Sequence, residues 1–173
     1  MPRHEELELL MVRYQNGDAS AVTELVETLS PPLYRFFTSQ FVSRRFADDL
    51  LQETWLKIHE VRHTYRPGEP VLPWIYAIAR HTRVDHYRRT RRVEDREQQV
   101  EQLPEAAATA APDSRGFDLE AVLRQLPESQ REVVVMLKVA DMSLEEVARA
   151  TSSSVGSVKQ KAHRAYEKLR GLL

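Results

Sequence analysis

The chain contains no cysteine, which excludes disulfide bonds, thiolate metal sites and a cysteine nucleophile or redox sensor. Glycine is scarce, with 5 in 173 residues, and strand-like alternation of apolar and polar residues is rare. No apolar run approaches the roughly 18 residues of a membrane-spanning helix, and the acidic N-terminus lacks a signal-peptide stretch. These absences favour a helical protein in the cytoplasm.

The charge is unevenly distributed, although the formal net charge is only -1. Residues 61–92 hold eight basic and two acidic side chains, whereas residues 1–60 and 93–116 each carry a net charge of -4. A near-neutral total would argue against nucleic-acid binding, but a basic block between acidic segments indicates an anionic partner for one face.

Helical periodicity covers most of the chain. Leu51, Trp55 and Ile58 share one helix face, for which Asp48 is the expected N-cap. An earlier helix is expected to end near Pro31-Pro32, and a later one is expected over 73–92. Residues 93–116 are rich in alanine and acids, which is typical of a flexible linker. The pattern predicts an all-α fold of two small domains, 1–92 and 117–173.

The C-terminal part has the spacing of a helix-turn-helix motif. Ser143 and Glu146 form a capping box, 151–154 reads as a turn, and a basic helix follows from Val155. In such motifs the second helix enters the major groove, where Gln and Arg pair with base edges. The alternative is a basic, solvated helix in an ordinary bundle.

The basic block combines arginines with aromatic residues near its start, Trp74 and Tyr76. Guanidinium groups bind phosphates bidentately, and aromatic rings stack on unpaired bases, so the block fits single-strand recognition. The alternative is that Trp74, Ile75 and Ile78 are core residues and the arginines are merely solvated.

The segment His59-Glu60-Val61-Arg62-His63 matches the HExxH zinc-protease signature. It lies at a predicted helix end, and Arg66 and Glu69 replace the glycine and third histidine of the longer signature. A zinc hydrolase therefore stays a minor alternative, and no metal site is predicted.

Five segments in order resemble the extracytoplasmic-function group of sigma-70 factors, the short two-domain class. They are Gln15-Asn16-Gly17-Asp18, Asp48 to Lys57, Pro73 to Arg80 with Asp85 to Arg89, Leu126 to Val133, and Ser154 to Lys159 with His163-Arg164-Ala165. The resemblance covers nearly the whole chain and implies a promoter-specificity subunit with no catalytic residue and no cofactor.

The resemblance also implies which residues carry each contact. Docking on core RNA polymerase would use Asp48, Asp49, Gln52 and Glu53. Holding the opened -10 strand would use Trp74, Tyr76, Arg80, His81, Arg83, Asp85, His86, Arg88 and Arg89. Reading the -35 duplex would use Ser157, Lys159, Gln160, Lys161, His163 and Arg164.

The sequence departs from the family pattern at one position beside the base pocket and at three positions of a turn. His81 stands where an Asn is common beside the extruded-base pocket, which leaves the base preference open. Ser152 and Ser153 stand where the family usually has Gly and an apolar residue, within a turn that begins with Thr151 in place of Leu. Two apolar contacts of the turn are thereby lost.

The implied partners are the polymerase clamp and the flap on the -35 side, promoter DNA, and an anti-sigma factor that is often membrane-anchored. The free protein is expected to be a monomer. A stand-alone helix-turn-helix repressor would instead be a dimer on a palindrome. That alternative leaves the segments around Asp49 and Trp74 without a role.

Overall fold

The computed structural model describes residues 4–40, 44–97 and 119–172. In these ranges the chain forms eight α-helices and no strand, which confirms the all-α prediction. The helices are α1 His4–Gln15, α2 Ala19–Ser39, α3 Arg44–Val61, α4 Val71–Glu97, α5 Leu119–Arg124, α6 Glu128–Lys138, α7 Leu144–Ala150 and α8 Val155–Arg170. None of them is both long and apolar enough to cross a membrane.

The first four helices pack around an aromatic centre. Phe36 of α2 lies edge-on to Tyr76 of α4, with ring centroids 5.4 Å apart, and both side chains are fully buried. The turn between α1 and α2 follows the expected Asn-Gly-Asp pattern, because Gly17 adopts φ 88° and Asp18 caps α2. Hydrogen bonds from the Ser20 hydroxyl and the Arg13 guanidinium lower the pKa of Asp18 to about 2.

The expected end of a helix at Pro31-Pro32 is wrong, because α2 continues through both prolines to Ser39. Two prolines remove two backbone donors and cost a helix interior about 3 kcal/mol or more. On either side of them the apolar stripe goes on, with Leu29, Leu33 and Phe36 all fully buried. Burial of that stripe offsets the lost hydrogen bonds.

Two helix boundaries also differ from the sequence prediction. α3 begins at Arg44, so Asp48 lies inside the helix and is not its N-cap. α4 runs to Glu97, so the first residues of the predicted linker continue a helix. The rest of the predicted linker, from residue 98 to 116, lies outside the described residues.

The C-terminal helices pack around Val133, Met136, Val147 and Val158, all of which are buried. The predicted capping box is confirmed: the Glu146 amide donates to Ser143 Oγ at 3.1 Å, and the Ser143 amide donates to Glu146 Oε2 at 2.7 Å. Ser154 caps α8 by accepting a hydrogen bond from the Ser157 amide at 3.1 Å.

The two groups of helices also pack against each other. α7 lies on α4, and α6 lies on the end of α2, where Arg131 Nε is 3.4 Å from Gln40 Oε1. Burial lowers the pKa of Arg131 from its usual value. The sequence predicted two domains on a linker and gave no sign of this contact.

Candidate nucleic-acid interface

The outer face of α8 is a basic surface held on a packed helix. The inner side chains Val158, Ala162 and Ala165 are buried against the neighbouring helices. The opposite face exposes Lys159, Gln160, His163 and Arg164, while Ser157 and Lys161 are half-buried beside them. Four of the six residues assigned to -35 reading therefore lie on the exposed face of one helix, and Ser157 and Lys161 lie at its border. A major groove admits an α-helix in this way.

The turn before α8 compensates in part for its unusual sequence. Ser152 adopts φ 49°, the left-handed conformation that glycine takes without strain. Thr151 Oγ1 donates to the Val147 carbonyl at 2.7 Å and lies 2.8 Å from Ser153 Oγ. Hydroxyl hydrogen bonds thus stand in the turn where the family pattern has apolar contacts.

On α4, two of the arginines assigned to the -10 strand are bound within the chain. Arg80 Nε is 2.5 Å from Glu132 Oε1 and its Nη2 is 3.2 Å from Glu132 Oε2, a bidentate pair. Arg83 Nη2 is 2.8 Å from Glu128 Oε1 on the same helix, α6. These guanidinium groups face the C-terminal helices and are only partly exposed to solvent.

Farther along α4, a second polar cluster joins α4 to α3. Lys57 Nζ is 3.2 Å from Asp85 Oδ2, and Arg89 Nη2 is 2.6 Å from Glu53 Oε1. The structure therefore brings Glu53, assigned to polymerase docking, next to Arg89, assigned to DNA. His81 and Arg88 are exposed between these clusters.

The aromatic rings of α4 that were assigned to the -10 strand are less accessible than base stacking requires. Tyr76 is 1% exposed, and its hydroxyl has no hydrogen-bond partner among the described residues. Burial raises the pKa of Tyr76 well above its usual value. Trp74 is half-buried edge-on to Tyr65 at 5.7 Å, and His86 is half-buried edge-on to Phe46 at 5.2 Å. Tyr76 is thus a core residue in this arrangement.

The acidic face of α3 borders a shallow cavity between α3 and α2. Asp48, Asp49 and Gln52 are exposed along its edge. Trp55 forms part of the wall, and its Nε1 donates to Ser30 Oγ at 2.9 Å. Carboxylates around a partly apolar hollow suit a protein partner with basic residues around an apolar projection.

The HExxH residues do not form a metal centre. His59 and Glu60 lie in the last turn of α3, whereas His63 lies in the short 3₁₀ turn Arg62–Thr64 that follows. His59 Nδ1 is 2.6 Å from the Tyr14 hydroxyl, so the His59 imidazole has a hydrogen-bond partner within the chain. No cluster of three candidate ligands occurs within 4–40, 44–97 or 119–172.

Sequence reasoning missed the acidic side of the contact between the two helical groups. Glu128 and Glu132 lie four residues apart on α6, and Arg80 and Arg83 lie three apart on α4. Each pair occupies one helix face, and the opposite charges were visible in the sequence. No periodicity relates residues separated by 52 positions, however, so the match appeared only in the fold.

Two family models match the chain, one for Sigma-70 region 2 over residues 25–93 and one for Sigma-70, region 4 over residues 117–169. The RNA polymerase sigma factor CarQ of Myxococcus xanthus is 34% identical, across 94% of this chain and 95% of the relative. The ECF RNA polymerase sigma factor SigD of Mycobacterium tuberculosis is 33% identical, across 96% and 83%.

Solved structures share the fold. CnrH in complex with the cytosolic domain of CnrY matches with a TM-score of 0.71 and 23% identity, over 95% of each chain. RpoE in complex with the anti-sigma factor NepR, from Bartonella quintana, matches with a TM-score of 0.69 and 23% identity, over 87% of this chain and 94% of RpoE.

Proposed function

The chain belongs to the extracytoplasmic-function RNA polymerase sigma factors of the sigma-70 family, which direct the polymerase to promoters, and we propose how its surfaces divide that task. α8 reads the -35 duplex, α4 holds the opened -10 strand, and the acidic face of α3 docks on core polymerase. The observation that carries this proposal is the exposed basic face of α8 on a capped helix-turn-helix.

At -35, some side chains position α8 on the DNA phosphates and others read the base edges. Lys159 and Lys161 supply charge for phosphates on either side of the groove, and Ser157 lies at the helix N-terminus, where backbone amides attract anions. Gln160 and Arg164 are four residues apart on the exposed face, so both reach one stretch of the groove. His163 Nε2 lies 3.2 Å from Glu167 Oε1, and this contact orients the imidazole ring.

At -10, the exposed part of α4 offers phosphate contacts and a surface for an unstacked base. Arg88 and Arg89 are accessible, His81 lies one turn before Asp85, and Tyr87 is largely exposed. Capturing an extruded base offsets part of the unpairing and unstacking energy. Tyr76 supports this surface from the core and does not itself stack on DNA.

Regulation and location follow the family pattern in this proposal. Because the solved RpoE structure holds an anti-sigma factor, we expect this chain also to be kept inactive by an anti-sigma factor. We expect the chain to be cytoplasmic, and in this family the anti-sigma factor is often anchored in the membrane. Promoter selection requires no catalytic residue and no cofactor from this chain.

Charge reversal on α3 tests the docking surface. Replacing Asp48 and Asp49 by lysine is expected to weaken binding to purified core polymerase by about tenfold or more, because attraction to a basic partner becomes repulsion. The measurement is a titration of labelled protein with core polymerase in the absence of DNA.

The matched control replaces Glu94 and Asp95, an exposed acidic pair on distal α4, by lysine. It changes the net charge by the same amount at a site not assigned to docking. Equal loss in both double variants would contradict a specific role for α3, since it would reflect total charge alone.

A further inference from the structure

The contact between α4 and α6 places a carboxylate where a DNA phosphate would otherwise bind. Glu132 engages Arg80 through both carboxylate oxygens, and Arg80 Nη1 also donates to the Ala150 carbonyl at 3.2 Å. Glu132 Oε1 is 3.8 Å from Arg83 Nη2 as well. One acidic residue of region 4 therefore faces two arginines of region 2.

Both arginines are withdrawn from solvent by this contact. The Arg80 side chain is 27% exposed, the Arg83 side chain 15%, and the Glu132 side chain 6%. A carboxylate occupies the planar fork of a guanidinium with the same bidentate geometry as a phosphate. Arg80 cannot hold Glu132 and a DNA strand together, so the two ligands compete.

Further contacts surround this pair and fix the same arrangement. Arg149 Nη1 is 2.7 Å from Glu69 Oε2, and His4 Nδ1 is 2.9 Å from Glu146 Oε1. The exposed pair between Arg149 and Glu69 contributes little by itself. The bidentate pair between Arg80 and Glu132 is less exposed than the pair between Arg149 and Glu69, so salt and water screen it less.

The same arrangement leaves the other DNA surface uncovered. α8 packs on α6 and α7, and its face with Lys159, Gln160 and Arg164 stays exposed. The closed chain thus presents the -35 surface while it covers two arginines of the -10 surface.

We propose that this packing is an autoinhibitory contact in which Glu132 acts as an internal substitute for the -10 strand at Arg80 and Arg83. The inference rests on the proposed -10 role of α4. Region 4 must leave α4 before the strand can bind, and separation of the two regions on polymerase supplies that opening. The free factor accordingly binds unpaired DNA weakly.

The test uses Glu132→Gln in the full chain, with Glu145→Gln as the control. Glu145 is an exposed glutamate of α7 outside the Arg80 cluster, so the control makes the same chemical change. Because the chain has no cysteine, His63→Cys and Lys168→Cys give two specific spin-label positions, one in each region. Pulsed electron paramagnetic resonance then reports the distance between them.

Glu132→Gln is expected to lengthen the mean distance between the two spin labels and to broaden its distribution. The same variant is expected to bind a short, labelled, random-sequence single-stranded DNA more tightly. If about a tenth of the molecules are open before the substitution, full opening raises the apparent affinity for the DNA about tenfold. Glu145→Gln should change neither quantity. Arg80→Gln is a second variant for opening, and it should lengthen the distance without the full gain in DNA affinity.

Distances unchanged in both Glu132→Gln and Arg80→Gln would overturn the proposal, since the pair would not hold the regions together. Opening without tighter DNA binding by Glu132→Gln would overturn the masking role. If the Glu132→Gln variant still supports factor-dependent transcription, the proposed function survives. If that transcription is lost, the assignment of α4 to the -10 strand has failed.

Discussion

Leu50→Ala is expected to destabilise the chain by roughly 2–5 kcal/mol, the range for truncating a buried leucine. Leu50 is fully buried in α3, and its carbonyl accepts a hydrogen bond from the buried Thr54 hydroxyl at 2.7 Å. Its side chain anchors the face of α3 opposite Asp48, Asp49 and Gln52. Since whole domains are stable by only about 5–15 kcal/mol, the loss is a large fraction of the total.

Urea unfolding followed by circular dichroism measures this effect, and Leu56→Ala is its control in the same helix. The Leu56 side chain is 64% exposed, so the same truncation there should change stability by about 0.5 kcal/mol or less. Similar losses at both positions would contradict the packing of α3 described above. A defect of Leu56→Ala in polymerase binding alone would instead add Leu56 to the docking surface.

Arg164→Ala is expected to reduce -35 selectivity by about 1–3 kcal/mol, roughly five- to 150-fold, if the guanidinium binds a base edge bidentately. Arg164 is exposed near the middle of α8, one turn after Gln160. The loss should appear as a smaller ratio between the preferred -35 sequence and its single-base variants. Competitive transcription from a mixed promoter pool measures that ratio.

Lys168→Ala controls for charge, because it removes one positive charge from an exposed position on the same helix outside the reading set. Only a small effect, equal on all sequences, is expected there. Should Arg164→Ala also weaken all -35 sequences equally, the residue would be a phosphate contact and the base-reading role would be wrong.

Features that depend on near neighbours in the chain were predictable from the sequence. The capping box of Ser143 and Glu146, the turn at Gly17 and the basic outer face of α8 all follow from spacing within one or two helical turns. The order of helices likewise followed from apolar periodicity, whereas the two sigma regions were implied by the resemblance of five segments to the family.

Features that depend on distant parts of the chain were not predictable in this way. α2 continues through Pro31-Pro32 because the residues on either side of the prolines are buried in the core. That burial outweighs the tendency of proline to end a helix. Tyr76 is buried because Phe36, forty residues earlier, packs against it. The bond between Arg80 and Glu132 joins two regions that local patterns treated as independent.

A chain that selects promoters for RNA polymerase should direct the purified core enzyme to specific start sites. Transcription of a genomic fragment pool by purified core polymerase, with and without the full chain and with no anti-sigma factor present, tests this expectation directly. We expect transcripts that appear only with the chain and whose start sites follow one shared -35 element and one shared -10 element. Absence of any transcript that depends on the chain would contradict it.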